Sequence, residues 1–271
     1  MGVIFLILVI LAMAYALLVM PRVTMRPDMR RVLVDYAHRG LFDNEAGVPE
    51  NSLLAFKYAA ERGHGIELDI QLTADGEVVV FHDYSLKRMC GEDVKLSSLT
   101  LDELKKYRLA GTDLSIPTFS EVLSLVDSRV PLLVELKGES GDTSLCPIAA
   151  KMLERYDGVY SVESFNPLLL RWFKKNCPDT PRGQLVTNLI KSKSSGNFFR
   201  NFMLSGLLAN FLSRPDFIAA DERYLKDVSI RVCTSLFGTP LLVWTVRKKE
   251  HFDINRENGD HSIFEGFEPK E

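Results

Sequence analysis

The sequence predicts an α/β fold: a (β/α)8 TIM barrel with a β-hairpin excursion after its second strand, preceded by one N-terminal transmembrane helix. Three observations predict it. Short apolar segments alternate with helical patterns along the chain, as they do in βαβ units with parallel strands. About 250 of the 271 residues follow the apolar N-terminus, which is a common size for one such barrel. The N-terminus itself is an unbroken apolar run, which indicates the membrane helix.

The apolar run covers residues 2–20, and as a helix it is long enough to cross a bilayer core of about 30 Å. A cleaved signal peptide would carry a basic start and a clear small-residue cleavage site, and neither is present. A buried core helix would not be apolar on every side. We therefore expect an uncleaved anchor.

The flanking charge predicts the orientation of this anchor. Arg22, Arg26, Arg30 and Arg31 follow the run, whereas only the terminal amine precedes it. The positive-inside rule then predicts a single-pass protein of the cell membrane whose folded domain faces the cytoplasm. The expected domains are an anchor (1–21), a basic juxtamembrane linker (22–33) and a barrel (34–271).

Charge and cysteine content exclude two classes of function. The net charge of −3 argues against a nucleic-acid partner, because proteins that bind nucleic acid are usually basic. The four cysteines are scattered and form no CxxC pair or Cys/His cluster, so no zinc site is expected. They are interpreted as small buried side chains or free thiols.

Nine segments are strand candidates, one more than a barrel of eight needs: 34–37, 65–72, 78–81, 132–136, 159–162, 184–186, 217–220, 241–246 and 262–265. Only four residues separate the second candidate from the third, whereas a parallel pair needs a crossover of a dozen or more. These two strands should therefore form an antiparallel hairpin with a two-residue turn at Asp75 and Gly76. That turn would place His82 directly opposite Asp69.

Helix signals lie between the strands. Asn51 is expected to cap a helix over residues 52–62, which Gly63 would end. Two capping boxes, each a threonine followed three residues later by a glutamate, predict further helix starts at Thr100 and Thr118.

Residues 188–215 combine Lys191, Lys193 and Arg200 with many leucines and phenylalanines. The preferred interpretation is an ordinary barrel helix that packs its apolar side chains on the sheet. The alternative is a loop and helix that lean on the bilayer near the anchor.

Polar residues concentrate at the predicted strand ends, where barrel active sites form. Glu67 and Asp69 stand two residues apart on one strand, so they point to the same face. Such a pair, with Glu135 as a third oxygen ligand, is a natural site for a hard divalent cation. His38 and His82 follow neighbouring strands and supply a general acid and a general base.

Further side chains complete a site for phosphate esters. Arg39 offers a planar fork for phosphate, and Glu50 could hold that fork in place. Lys137 would point the same way as Glu135 and could bind a phosphate oxygen. Phe165 and Trp244 either pack the barrel or form the wall of a substrate pocket; the sequence leaves both readings open. The set predicts metal-assisted phosphoester chemistry.

These residues stand in motifs that resemble the glycerophosphodiester phosphodiesterases. The motifs are His38-Arg39-Gly40, Pro49-Glu50-Asn51-Ser52, Glu67-Leu68-Asp69, Leu72-Thr73-Ala74-Asp75-Gly76, Val79-Val80-Phe81-His82-Asp83, Glu135-Leu136-Lys137, Ser164-Phe165 and Val243-Trp244-Thr245-Val246. They cover nearly the whole chain after the anchor, and their combination in this order is highly specific. Arg247 departs from the pattern, because the family often has a small polar residue there.

The resemblance implies a TIM barrel that hydrolyses glycerophosphodiesters to glycerol 3-phosphate and an alcohol, in phospholipid head-group turnover. It implies one divalent cation, Mg²⁺ or Ca²⁺, on Glu67, Asp69 and Glu135. The acid/base pair would be His38 and His82. Phosphate would be bound by Arg39 and Lys137, in a substrate site that includes Glu50, Phe165 and Trp244.

Two alternatives remain open at this point. The anchor is compatible with a lysophospholipase D-type enzyme that cleaves membrane lysolipids. It is also compatible with a catalytically silent, membrane-tethered barrel that binds a head group.

Overall fold

A computed structural model describes residues 2–24, 26, 28–138, 141–194 and 196–269. Its sheet has nine strands: β1 (Tyr36–Ala37), β2 (Gly65–Leu72), β3 (Val78–Val80), β4 (Leu132–Leu136), β5 (Tyr160–Ser164), β6 (Arg182–Val186), β7 (Phe217–Asp221), β8 (Leu241–Val246) and β9 (His261–Phe264). Eight of them are parallel and close into a barrel, because β1 pairs with both β2 and β9. The ninth, β3, is antiparallel to β2. The predicted barrel with a hairpin excursion is confirmed.

Twelve α-helices are seen in the described residues: α1 (Gly2–Val19), α2 (Met29–Val32), α3 (Leu53–Glu61), α4 (Lys87–Cys90), α5 (Leu101–Leu104), α6 (Phe119–Val126), α7 (Leu145–Glu154), α8 (Pro167–Asn176), α9 (Phe198–Ser205), α10 (Asn210–Ser213), α11 (Val228–Arg231) and α12 (Lys249–Asn258). A π-helical turn, Val232–Leu236, continues α11. Both capping boxes form, and they start α5 and α6 as predicted.

The hairpin register differs from the prediction by one residue. Ile70 pairs with Val80, so Phe81 rather than His82 donates its backbone N–H to the carbonyl of Asp69. The loop is longer than two residues, because Thr73 N donates to Glu77 O and Gly76 adopts a φ of +83°. Such a loop with a left-handed glycine shifts the pairing by one residue and leaves His82 beyond the end of β3.

Two further expectations at element ends are wrong. The cap of α3 is Ser52, whose hydroxyl accepts a hydrogen bond from Ala55 N, and not Asn51. The sixth strand begins at Arg182, two residues earlier than predicted, because this arginine is almost fully buried. Its guanidinium donates to Ser213 O and lies against Asp216, so the charge is compensated inside the protein.

The core has one layer inside the barrel and one around it. Large apolar side chains of the strands pack outward against the ring of helices. At the N-terminal ends of the strands, Met29 and Val32 of α2 pack against Tyr36, Leu133 and Phe217. The predicted linker therefore covers the base of the barrel, and the opposite end is left open for a site.

The N-terminal helix α1 stands mostly free of the barrel. It is long and apolar enough to cross a bilayer. Membrane anchors and signal sequences both have this property. Only its C-terminal end packs on the barrel: Tyr15 and Leu18 are partly buried, and Val19 is buried against α10 and the π-helical turn. The side chain of Asn210 donates to Val19 O at 2.9 Å, and Arg214 Nη1 donates to Met20 O at 2.7 Å.

The four cysteines are free thiols, as expected, and Cys146 and Cys233 are buried. The segment 188–215 packs as an ordinary barrel helix only in part, because Leu207 and Leu208 are buried in the core. Its α9 directs three phenylalanines outward and buries Asn201 and Ser205 instead.

Candidate active site

The candidate metal ligands are brought together by strand register. Asp69 on β2 is the direct neighbour of Glu135 on β4, and Glu135 is the neighbour of Glu163 on β5. Glu67 stands two residues before Asp69 and so shares its face. Ligand oxygens of Glu67, Asp69 and Glu135 all lie within 4.8 Å of one another, and the three side chains are buried.

Burial and mutual repulsion raise the pKa of two of these carboxyl groups, whereas nearby cations and donors lower that of the third. The pKa of Glu67 is raised well above its usual range by burial and by the charges of Asp69 and Glu135. Burial and Asp69 also raise the pKa of Glu135 to about 7, against the opposing charge of Lys137. For Asp69, Lys137, His82 and the other donors around it outweigh burial and hold the pKa well below its usual range.

The residues present fit an oxygen-coordinated divalent cation. Buried carboxylates that share one face repel each other unless a cation lies between them. Lys137 meets part of this need, because its Nζ lies 3.1 Å from Asp69 Oδ1 and 3.0 Å from Glu135 Oε1. Arg39 Nε also lies 3.6 Å from Asp69 Oδ2, but Arg39 is shared with Glu50. A divalent ion with carboxylate ligands would supply the remaining positive charge.

His38 is oriented by a carboxylate from the far end of the chain. Its Nδ1 lies 2.5 Å from Glu265 Oε2, and its Nε2 faces Glu67 at 3.9 Å. Burial lowers the pKa of His38, and the hydrogen bond with Glu265 partly offsets that effect. Burial alone would raise the pKa of Glu265, but His38 and Arg247 together lower it to about 2. Glu265 is thus ionised at neutral pH and directs Nε2 of His38 into the cavity.

His82 has a similar arrangement on the other side of the cavity. Its Nδ1 lies 2.6 Å from Asp83 Oδ1, and Asp83 in turn accepts a hydrogen bond from Arg88 at 2.7 Å. Hydrogen bonds from His82 and Arg88 hold the pKa of Asp83 far below its usual range, although burial opposes them. In both histidines Nδ1 is therefore engaged by a carboxylate, and Nε2 is the other ring nitrogen that can exchange a proton.

The side chain of Arg39 pairs with Glu50, as expected. Arg39 Nη1 donates to Glu50 Oε1 at 2.6 Å, and Glu50 also binds Arg88 at 2.7 Å. The backbone N–H of Arg39 donates to Glu67 Oε2 at 3.0 Å. Arg39 adopts a φ of +56°, and this left-handed turn aims both its backbone N–H and its guanidinium at the carboxylate cluster.

A cavity of about 340 Å³ joins these groups at the C-terminal ends of the strands. It contains His38, Arg39, His82 and the carboxylates Glu67 and Glu135. Phe165 and Trp244 line it too, packed edge to face with ring centroids 5.5 Å apart.

A second cavity of about 780 Å³ adjoins the first and shares Glu135, Phe165 and Leu185 with it. Its walls are mainly apolar and include Leu168 of α8 and Leu204 of α9. We refer to it as the apolar groove.

Three site residues were not predicted from the sequence. Asn51 donates from Nδ2 to Asp69 Oδ2 at 2.9 Å, a role that its position before α3 had hidden. Glu163 is buried, and its Oε2 has no hydrogen-bond partner among the described residues; burial and the neighbouring carboxylates raise its pKa well above the usual range. The predicted fifth strand stopped one residue short of it. Glu265 was taken only as the end of the last strand.

Comparison with known proteins agrees with this geometry. Residues 38–265 match the glycerophosphoryl diester phosphodiesterase family. A glycerophosphodiester phosphodiesterase of Caldanaerobacter subterraneus subsp. tengcongensis is 36% identical over 232 residues, which are 80% of this chain and 87% of that protein. The glycerophosphodiester phosphodiesterase structure from Thermotoga maritima has a TM-score of 0.63 at 27% identity and covers 85% of this chain and 94% of its own.

A third relative supports the fold alone. It is an Oleispira antarctica phosphodiesterase in complex with the product sn-glycerol-3-phosphate. Its TM-score is 0.68 at 22% identity, with 86% of this chain and 92% of that chain covered.

Proposed function

The chain belongs to the glycerophosphoryl diester phosphodiesterase family, and from this premise we propose that it hydrolyses glycerophosphodiesters to glycerol 3-phosphate and an alcohol. The observation that carries the proposal is the cluster of three buried carboxylates, Glu67, Asp69 and Glu135, beside a cavity that both histidines line. That arrangement supplies a metal site and an acid/base pair around one phosphate-sized space.

The activity depends on a divalent cation, which Glu67, Asp69 and Glu135 would hold through oxygen. We assign Mg²⁺ or Ca²⁺, because carboxylate ligands suit hard cations. When bound, the ion supplies positive charge against the phosphate oxygens, where negative charge gathers in the transition state.

The two histidines divide the proton transfers between them. One accepts a proton of the attacking water as the water oxygen bonds to phosphorus. The other donates a proton to the alcohol oxygen as the P–O bond breaks, so that the alcohol leaves neutral. In His38 and His82, Nε2 is the nitrogen left for this exchange, since Nδ1 is engaged by Glu265 and Asp83.

Arg39 and Lys137 would bind the phosphate. Glu50 fixes the guanidinium of Arg39 from one side, which leaves the rest of its planar fork for phosphate oxygens. Lys137 is held beside Asp69 and Glu135, so its charge lies next to the same space. Phe165 and Trp244 would form the wall against the organic part of the substrate.

The test is the release of glycerol 3-phosphate from a panel of glycerophosphodiesters by the full chain in detergent, with and without EDTA. We expect glycerol 3-phosphate to be released only when a divalent cation is present. We also expect the His38→Ala variant to release none. Tight binding of a diester with no release of alcohol would overturn the proposal in favour of a silent, membrane-tethered binding barrel.

The apolar groove favours a second candidate, a lysophospholipase D-type reaction on lysolipids. The groove begins at Glu135 and Lys137 and continues along Phe165 and Leu168 to α9. An acyl chain attached to the glycerol would find an apolar path there. Comparing turnover of micellar lysophosphatidylcholine with that of glycerophosphocholine separates the two substrates.

We also propose that the chain is a single-pass protein of the cell membrane, with an anchor (1–21), a linker (22–33) and a cytoplasmic barrel (34–271). The fit of the last turn of α1 against Asn210 and Arg214 supports an uncleaved anchor, because cleavage would remove their partners. The mass of the purified N-terminus tests retention. A reporter fused at the C-terminus that is active only in the cytoplasm tests the orientation.

A further inference from the structure

Helix α9 presents its apolar side to the outside of the protein. Phe198, Phe199 and Phe202 are 72%, 69% and 48% exposed. Asn201 and Ser205 of the same helix are buried instead. A helix that packs on a barrel in water shows the reverse pattern. An outward apolar face of this size marks a contact with something other than water.

Hydrogen bonds fix this orientation of α9. Asn201 Nδ2 donates to Ser194 O at 3.2 Å. The hydroxyl of Ser205 accepts a hydrogen bond from Leu189 N at 3.0 Å. The backbone carbonyl of Ser205 accepts one from the Ser229 hydroxyl at 3.3 Å. Turning the helix to bury the phenylalanines would break these bonds and leave buried polar groups without partners. These hydrogen bonds therefore hold the aromatic side chains of α9 on the outside of the fold.

The apolar helix α1 ends beside the same segment. The short helix α10 follows α9 after four residues and receives the last turn of α1 through Asn210. Arg214, directly after α10, donates to the carbonyls of Leu17 and Met20. Phe211 of α10 is partly exposed next to this junction. A bilayer crossed by α1 would thus begin beside α10.

The charge of the segment suits a lipid surface with anionic head groups. Residues 188–214 contain four basic side chains and no acidic one, although the whole chain has a net charge of −3. Of these, Lys193 and Arg200 are exposed, and Arg200 stands on α9 with the phenylalanines. Aromatic side chains beside basic ones are typical of segments that lie in the membrane interface.

We propose that α9 and α10 form a bilayer-docking surface. The side chains of Phe198, Phe199, Phe202 and Phe211 enter the interfacial layer beside α1, and the basic side chains contact anionic head groups. The barrel then rests on the membrane along this side. The apolar groove, whose wall includes Leu204 and Arg200 of α9, opens close to the lipid. The docking does not depend on catalysis, so its test needs no substrate.

The test places a tryptophan on this surface in the full chain. A Phe199→Trp variant is reconstituted into vesicles of phosphatidylcholine and phosphatidylglycerol, with and without brominated acyl chains. The matched control is Ile254→Trp, which lies on α12 and is also exposed. The unsubstituted chain gives the background from Trp172 and Trp244. Both new tryptophans replace exposed apolar side chains, so folding is preserved.

We expect brominated lipid to quench the added fluorescence of Phe199→Trp by about half or more, and to leave that of Ile254→Trp unchanged. Absence of quenching in Phe199→Trp overturns the proposal. A blue-shifted emission without quenching also overturns it, because the surface is then covered by protein, such as a second copy of the chain. Equal quenching of both variants overturns it too, since α1 alone would then account for the proximity.

Discussion

Nδ1 of His38 lies 2.5 Å from Oε2 of Glu265, although 227 positions separate the two residues in the chain. The pairing arises because β1 and β9 are neighbours where the barrel closes. It sets the tautomer and the direction of the His38 ring, so that Nε2 faces the carboxylate cluster.

Replacing Glu265 by glutamine should disturb this positioning without removing a group that touches the substrate. We expect kcat to fall about 100-fold with a small change in KM. Glu265 raises the pKa of His38 against burial, so its loss should move the limb of the kcat/KM profile that His38 sets to lower pH. The control is Glu268→Gln, three residues further on. An unchanged pH profile would mean that Glu265 has only a structural role.

Glu135 and Glu163 are neighbours in register but should differ in function. Glu135→Gln removes a proposed metal ligand, and we expect more than about a 100-fold loss of activity and no stabilisation by added Mg²⁺ or Ca²⁺. Glu163 lies outside the group of close ligand oxygens and has a strongly raised pKa, so Glu163→Gln replaces a largely neutral side chain. It should retain activity within about threefold. Equal losses in both variants would make Glu163 a ligand.

Metal removal should destabilise the protein more at alkaline pH. Burial raises the pKa of Glu135 to about 7, so without metal this group binds a proton more tightly in the folded state than in the unfolded state. Its contribution to stability is then fully present below about pH 4.5 and is lost as the pH rises through 7. A bound cation compensates the ionised carboxylates. We expect EDTA to lower Tm clearly at pH 8 and little at pH 5; equal shifts would contradict the assignment.

Asn51 and Ser52 are adjacent but serve different purposes. Asn51→Ala removes a donor from Asp69, which should raise the pKa of Asp69 and weaken cation binding by about 10-fold. Ser52→Ala removes the cap of α3 and should cost about 1 kcal/mol of stability with cation affinity unchanged. Cation titration and thermal unfolding of both variants measure the difference. Weakened binding in Ser52→Ala alone would reverse the assignment.

Narrowing the apolar groove should separate the two substrate classes. Leu168 lines the groove and lies outside the proposed catalytic set. A Leu168→Trp variant should lower turnover of lysophosphatidylcholine about tenfold and leave glycerophosphocholine turnover unchanged. If neither substrate is affected, the groove does not hold an acyl chain.

The sequence by itself determined the barrel and most of its site. Strand positions follow from local apolar patterns, and two carboxylates at i and i+2 share a face in any strand. Glu67, Asp69 and Glu135 could therefore be placed together before the structure was known. The length and composition of α1 are equally local properties.

The tertiary structure alone decided the relationships that depend on long-range pairing. Closure of the barrel brings Glu265 to His38. The geometry of one loop shifts the hairpin by a residue, so that Phe81 rather than His82 lies beside Asp69. Asn51 turns to Asp69 because Ser52 takes the cap. The outward face of α9 depends on hydrogen bonds to a loop and to α11. These contacts and orientations follow from the packing of segments that are distant in the chain, and local sequence patterns carry no information about them.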